Sequence, residues 1–351
     1  MGLKILHSAD WHLDSPFTGF SPEQRNVLRQ EQRRIPELIG DICRREGCDL
    51  VLLAGDLFDG EAKFQTVELL KKEFADWTVP VLIAPGNHDY CCPGSPWLEE
   101  TWPENVHIFT GSLESVVFPE LDCRVYGAGY KSMDCEGLLE GFQAEGREKY
   151  CVAVLHGDAT TAGSPYCPVT AAQVRNSGLD YLALGHIHKA GAFRAGSALC
   201  AWPGCSMGRG WDETGEKGVC IVTLEDTAQI RAVPLDTIRF QDWEVEIGEA
   251  ADAALEAVLP AVPNRDFYRI TLTGCADLDM ERLAKRFSGF SNLQLLDQTE
   301  APVDLWGDVG EDTLRGVYFR MLRQISEDDP RAKLAAEISH KLLSGREVKL
   351  P

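Results

Sequence analysis

The tetrapeptide Gly86-Asn87-His88-Asp89 follows an apolar run over residues 79–84 that Pro85 breaks, and this junction constrains the fold more than any other stretch. A buried strand that stops at a tight turn sets Asn87, an amide able to ligate a metal, beside His88, an imidazole able to donate a proton. Four more polar clusters leave strand-like apolar runs in the same way: Asp10-Trp11-His12, Gly55-Asp56-Leu57-Phe58-Asp59, His156-Gly157-Asp158 and Gly185-His186-Ile187-His188. Five of the eight histidines fall within these clusters. Ligands of open α/β sheets bind beyond the carboxyl ends of the strands, so the five clusters are expected to share one crevice.

The early chain alternates strand and helix, the pattern of a parallel α/β core. Strands are expected at residues 4–7, 49–54 and 79–84, the second buried on both faces because its apolar run is continuous. Helices are expected over 22–46, kinked at Pro36, and over 67–74. Residues 106–126 read as short antiparallel strands and loops. Apolar runs at 150–155 and 179–184 deliver His156, His186 and His188, and a Gly-rich stretch from Pro203 to Gly218 leads into a strand at 219–224. The first domain is expected to comprise residues 1–240. Residues 241–351 then form a small α/β unit, with strands at 243–247, 267–272 and 293–296 and helices at 250–259 and 278–287. Amphipathic helices at 313–325 and 329–343 follow, the first carrying Tyr318, Phe319, Leu322 and Ile325 as an apolar stripe.

Composition narrows the class. A chain of 351 residues with 44% hydrophobic content can bury an ample core. No apolar run reaches the ~18 residues that span a bilayer, and the N-terminus enters a strand without a signal pattern, so a cytoplasmic location is expected. The twelve cysteines are scattered through apolar segments and read as buried thiols; Cys91-Cys92 lacks a second pair at ligand spacing. A net charge of −21 opposes nonspecific attraction to a polyanion such as DNA. Distant charge is nevertheless screened beyond ~10 Å, whereas bound divalent cations dominate the field inside a cleft.

Asp10, His12, Asp56, Asn87, His156, His186 and His188 supply carboxylate, amide and imidazole donors without a thiolate, a set suited to Mn²⁺, Fe or Zn²⁺. Seven donors are too many for one tetrahedral site. Two divalent cations sharing one bridging carboxylate fit the count, and such pairs are the usual apparatus for hydrolysing phosphate esters. The positive charge of two cations, less that of Asp10 and Asp56, would draw a phosphate in despite the acidic surface.

The order DxH, GDxxD, GNHD, H, GHxH resembles that of the calcineurin-like metallophosphoesterases. Within them, Ala9-Asp10-Trp11-His12-Leu13, the block from Gly55 to Asp59 and the stretch from Trp202 to Gly218 resemble the SbcD/Mre-type DNA repair exonucleases, most closely the YhaO-like ones. The resemblance implies a four-layer αββα sandwich with a small C-terminal α/β capping domain. It implies Asp10, His12, Asp56 and His188 around one metal and Asp56, Asn87, His156 and His186 around the other, Mn²⁺ foremost. His88 would protonate the leaving oxygen and Asp59 would orient it. The partners implied are DNA, as ends or single strands, and an SMC-like ATPase docked on the C-terminal helices; a homodimer is a further expectation. Many relatives have Gly after DxHL where this chain has Asp14, a residue able to narrow the cleft or add a carboxylate behind the ligands.

Other readings are open. The fold also serves phosphatases and small-molecule phosphodiesterases, although a compact phosphatase needs no appended domain. A protein that merely binds DNA ends needs no proton donor, so His88 argues against that reading. His7, His107 and His340 read as packed or turn histidines and Asp89 as a turn carboxylate. Arg25, Arg29 and Arg33 lie on one helix face, as a solvated stripe or as contacts to a DNA backbone.

Overall fold

The computed structural model describes residues 2–248, 250–302 and 304–345. Contact density divides it into two compact units, each described by itself. The first runs up to Trp243 and takes in Val262–Ile270 and Gly289–Gln294; the second comprises Glu244–Ala261, Thr271–Ser288 and the chain from Leu295 onward.

The first unit holds two six-stranded sheets. In one, β1 (Leu3–Ser8), β2 (Leu50–Leu53), β3 (Val81–Ile83) and β4 (Val106–Ile108) run parallel. The other is ordered β5-β6-β7-β8-β10-β9 and comprises β5 (Glu114–Phe118), β6 (Cys123–Gly127), β7 (Tyr150–His156), β8 (Tyr181–Gly185), β9 (Gly191–Ala195) and β10 (Ala198–Trp202). The four inner strands, β6, β7, β8 and β10, are parallel, and β5 and β9 close the edges antiparallel. The first sheet is extended beyond β1 by the antiparallel strands β11 (Gly218–Leu224) and β12 (Ala228–Pro234).

Side chains alternate across a strand, and here both faces are covered. Leu50 and Leu52 of β2 point between the sheets with Ile5, Leu82, Val152, Val154 and Tyr181. Val51 and Leu53, one residue out of phase, face helices α1 (Pro22–Gln32), α2 (Ile35–Glu46) and α3 (Phe64–Asp76), against Leu28, Ile39 and Leu70. A short helix, α4 (Pro96–Glu99), buries Trp97, and α5 (Ala171–Asn176) covers the far face of the second sheet with Val174 against Leu155, Leu182 and Leu184. The layers are therefore helix, sheet, sheet, helix, the αββα sandwich. Each fully buried Leu or Val contributes roughly 1.5–3 kcal/mol by leaving water, so Leu52→Asp, central between the sheets, would unfold this unit.

The structure departs from the periodicity in two places. Residues 22–46 form two helices, because Arg33 and Arg34 turn the chain and Pro36, lacking an N–H, starts the second helix instead of kinking one long one. Residues 106–126 are split between sheets: β4 joins the first in parallel, and only β5 and β6 pair antiparallel. A strand of three residues, Val106-His107-Ile108, carries no signal of which sheet it joins.

Strands β13 (Phe240–Ile247), β14 (Phe267–Gly274) and β15 (Leu293–Asp297) form a third sheet. Within the second unit lie α6 (Ala251–Val258), α7 (Met280–Arg286), α8 (Leu314–Ser326) and α9 (Arg331–Leu343). The expected stripe of α8 divides. Phe319 is fully buried, 6.1 Å from the ring of His340 on α9, while Tyr318 and Ile325 are exposed beside Leu314, Val317 and Met321. Among the described residues no helix is long and apolar enough to cross a membrane.

Candidate metal centre

Each expected site residue stands at or just beyond the carboxyl end of a strand: Asp10 and His12 after β1, Asp56 after β2, Asn87 and His88 after β3, His156 as the last residue of β7, and His186 and His188 after β8. They come from two facing sheets and not from one open sheet, so the crevice lies where the two sheets' strand ends meet. Asp56 Oδ2 of the first sheet is 3.3 Å from His156 Nε2 of the second.

The backbone reaches this geometry at a cost. Asp10, His12, Asp56 and His186 have φ of 52°, 46°, 52° and 83°, left-handed values that disfavour non-glycine residues. The loops hold one another in place: Asp10 N donates to Gly55 O at 3.0 Å, His12 N to Asp56 O at 3.0 Å and Leu13 N to Leu57 O at 2.9 Å. Asp89 joins two of them. Its buried carboxylate accepts from Gly86 N at 2.7 Å, Leu57 N at 2.8 Å and Asp56 N at 3.2 Å. It is a staple between the second and third loops, a larger role than a turn carboxylate. Burial pushes its carboxyl up to about 6. Gly86 has a different constraint, since a Cβ there would collide with Asp56 Oδ1.

Seven donors converge. His12 Nε2 lies 3.1 Å from His188 Nε2 and 3.8 Å from Asp56 Oδ2, and His188 Nε2 lies 3.8 Å from Asp10 Oδ1. On the other side of Asp56, Asn87 Oδ1 is 3.0 Å from His156 Nε2 and 3.2 Å from His186 Nδ1. His156 Nδ1 donates to Ala54 O at 2.8 Å, which leaves Nε2 free to ligate. Asp10, His12 and His188 form one group of ligand atoms within 4.8 Å of one another, and Asp10, Asp56 and His156 another. Asp10 Oδ2 is buried without any hydrogen-bond partner. An orphaned carboxylate oxygen amid imidazoles, with carboxylate, amide and imidazole donors only, fits divalent cations. Burial disfavours a charged His156, yet Asp56 overcomes it and pushes the ring up to about 9, while burial beside His156 lowers His186 to about 4.

His88 differs from the rest. Its side chain is 40% exposed, its Nδ1 lies 3.1 Å from Asp59 Oδ1, and its backbone N donates to Asp56 Oδ1 at 2.9 Å. It also falls within ligand distance of His12 and Asp56. The hydrogen bond to Asp59 raises the His88 pKa and favours its protonated form. Asp59 serves more than one residue: it accepts from Ser15 Oγ at 2.9 Å and lies 3.4 Å from His12 Nδ1 and 3.7 Å from Arg209 Nη1.

Two neighbours, both within the Trp202–Gly218 stretch that carried the resemblance, were not expected at the site. His188 Nδ1 donates to Glu213 Oε1 at 2.5 Å, and Glu213 also accepts from Arg209 N at 2.8 Å and Arg209 Nη2 at 3.2 Å. Arg209 therefore stands between Glu213, behind His188, and Asp59, behind His88. Other expectations are corrected. Asp14 turns to Arg33 at 3.1 Å and Lys63 at 3.3 Å and so adds no carboxylate behind the ligands. Arg29 donates to the carbonyls of Ser15 and Pro16, so Arg29 and Arg33 brace the first loop instead of forming a free stripe. His7, by contrast, is the packed core histidine expected, its Nδ1 2.7 Å from Tyr181 Oη.

A two-sheet sandwich with these donors at its strand ends defines a phosphoester hydrolase with a divalent-metal site. The chain belongs to the calcineurin-like phosphoesterases, whose family model matches residues 3–190. A Bacillus subtilis relative named "Uncharacterized metallophosphoesterase YhaO" is 37% identical over 240 residues, 63% of this chain and 57% of that protein. The chain thus matches somewhat more than half the length of that relative. A Staphylococcus epidermidis protein, named as the D component of the nuclease SbcCD, is 24% identical over 304 residues, 76% of this chain and 77% of that one. A dimetal phosphatase structure from Danio rerio is 13% identical, with a TM-score of 0.46 over 66% of this chain and 96% of that one.

Proposed function

We propose that this protein is a two-metal phosphodiesterase that degrades DNA from ends or along single strands in DNA repair. The observation that carries the reading is the convergence of seven metal donors from two sheets beside His88, a half-exposed imidazole hydrogen-bonded to Asp59. Asp10, His12, Asp56 and His188 would hold one cation and Asp56, Asn87, His156 and His186 the other, Mn²⁺ foremost. When bound, such a pair activates water and neutralises the phosphate oxygens. The chain's own groups do the rest. Asp59 keeps His88 protonated and aimed, and the imidazolium gives its proton to the leaving sugar oxygen. The staple at Asp89 keeps the Asp56 and Asn87 loops in register.

The choice of DNA rests on the similarity to a nuclease component and on the appended chain beyond residue 240, which we assign a capping and partner-docking role. Leu314, Val317, Met321 and Ile325 present an exposed apolar face on α8, suited to an SMC-like ATPase partner. A phosphatase or small-molecule phosphodiesterase is the competing reading.

Incubation of purified protein and Mn²⁺ with end-labelled linear duplex, end-labelled single strands and p-nitrophenyl phosphate esters separates the two. Cleavage of labelled DNA is the expected result. Hydrolysis confined to the p-nitrophenyl esters would favour the competing reading.

A further inference from the structure

A hollow of about 630 Å³ opens beside Asp59, within the first compact unit. Phe17, Phe20 and Trp211 line it together with Arg209 and Arg269. The Arg269 guanidinium lies over the Trp211 ring, 4.8 Å from its centroid. The indole meets Phe240 edge-on at 5.3 Å and Phe20 at 6.3 Å, so aromatic neighbours hold it in place. The volume falls within the ~300–1,000 Å³ typical of small-molecule sites, room for one base and its sugar.

Charge decides what such a hollow accepts. Arg209 is already matched by Glu213 at 3.2 Å and Asp59 at 3.7 Å, and Arg269 by both oxygens of Asp242, at 3.0 and 2.5 Å. Asp212 also lines the hollow, so its two arginines face three lining carboxylates, Asp59, Asp212 and Glu213. A second phosphate would gain no attraction there. A neutral planar ring loses nothing electrostatically and gains stacking area against aromatic and guanidinium surfaces. Asp59 is also the partner of His88, so an occupant of the hollow is within reach of a group reacting at His88.

We propose that this hollow receives a nucleobase, the one carried by the nucleotide next to the scissile phosphate, against the wall made by Trp211 and Arg269. The proposal rests on the phosphodiesterase reading and narrows the substrate to phosphodiesters that bear a base. A free nucleotide and a nucleic-acid strand present the same base, and the two arms of the test tell them apart.

The first arm titrates Mn²⁺-loaded protein calorimetrically with thymidine 5′-monophosphate and with deoxyribose 5-phosphate. The base should tighten binding on the order of ten- to a hundredfold. Trp211→Ala should remove most of that gain and Trp211→Phe should restore part of it. Equal affinity of wild type for the two phosphates overturns the proposal, and needs no variant to fold. A full preference kept by a folded Trp211→Ala variant overturns it as well. The second arm compares oligonucleotides with and without an abasic residue beside the cleaved bond. Slower cleavage next to the abasic residue supports the strand as the source of the base, and equal cleavage counts against the site. Base-dependent binding of the nucleotide with no oligonucleotide cleaved would overturn the DNA reading and leave the base site standing.

Discussion

Glu213→Ala should weaken one metal site and spare the other. Glu213 is the acceptor for His188 Nδ1 at 2.5 Å and fixes the tautomer that leaves Nε2 unprotonated toward Asp10 and His12. Without it, the nearest polar group is Arg209 Nη2, 3.3 Å from Nδ1. A guanidinium can only donate, so it would favour the tautomer with its proton on Nε2, the nitrogen needed for the metal. Loss of such a supporting carboxylate lowers metal affinity ~10–100-fold, or about 1.4–2.8 kcal/mol at one ion. Breaking a buried ion pair costs ~3–5 kcal/mol. Arg209, however, is a quarter exposed and keeps Asp59 at 3.7 Å, so a fold cost of about 1–2 kcal/mol is expected. Calorimetric titration of metal-stripped protein with Mn²⁺, beside a thermal melt, separates the two effects. The expected isotherm has one ion at wild-type affinity and one ~10–100-fold weaker. Two ions bound as tightly as in wild type would refute the role of Glu213, and equal weakening of both would show that it acts only through the fold.

Three further outcomes follow from the site. Asp56→Asn, between the two donor groups, should weaken both ions, whereas His12→Ala should weaken chiefly one; elemental analysis after dialysis distinguishes them, and two ions retained at wild-type affinity in Asp56→Asn would refute the bridge. His88→Ala should keep both ions and slow DNA cleavage ~10²–10⁴-fold, with a smaller loss on a p-nitrophenyl diester, whose leaving group needs little protonation; equal losses would refute proton donation. Metal affinity should depend on pH through His156, pushed up to about 9 in the metal-free site. Below that pH an incoming ion must displace its proton, and His188, which burial lowers but Glu213 and Asp10 raise on balance, adds to the effect, so affinity should rise at least about tenfold per unit up to pH ~9. His186, lowered to about 4, adds nothing above pH ~5. Calorimetry at pH values of about 6.5, 7.5 and 8.5 reads the slope, and a flat profile would refute the displacement.

The donors were legible because each combines a telling residue type with a position at the end of an apolar run, and a strand's end is visible locally. Which sheet each strand joins was not. Continuous apolar runs such as Leu50–Leu53 report burial on both faces without naming the neighbour, so the runs alone read as one open sheet and only the family resemblance implied two. Glu213 and Arg209 escaped for a related reason. They sit in a Gly-rich loop with no periodicity, and only the tertiary fold brings them to His188. The arginines in and just after α1 show the opposite failure: their spacing matches a helix face, but Arg29 and Arg33, the latter at the cap, are engaged by the first loop. On α8, spacing alone found the apolar residues but could not show that Phe319 faces inward and Ile325 outward.

We propose that the seven strand-end donors hold a pair of cations with Asp56 between them. Anomalous diffraction at the manganese edge from crystals grown with Mn²⁺ would locate each ion. Two peaks ~3.5–4 Å apart are predicted, one ringed by Asp10, His12 and His188 and the other by Asn87, His156 and His186, with Asp56 touching both. A single peak at full occupancy, or a pair of peaks away from Asp56, would refute the shared carboxylate bridge.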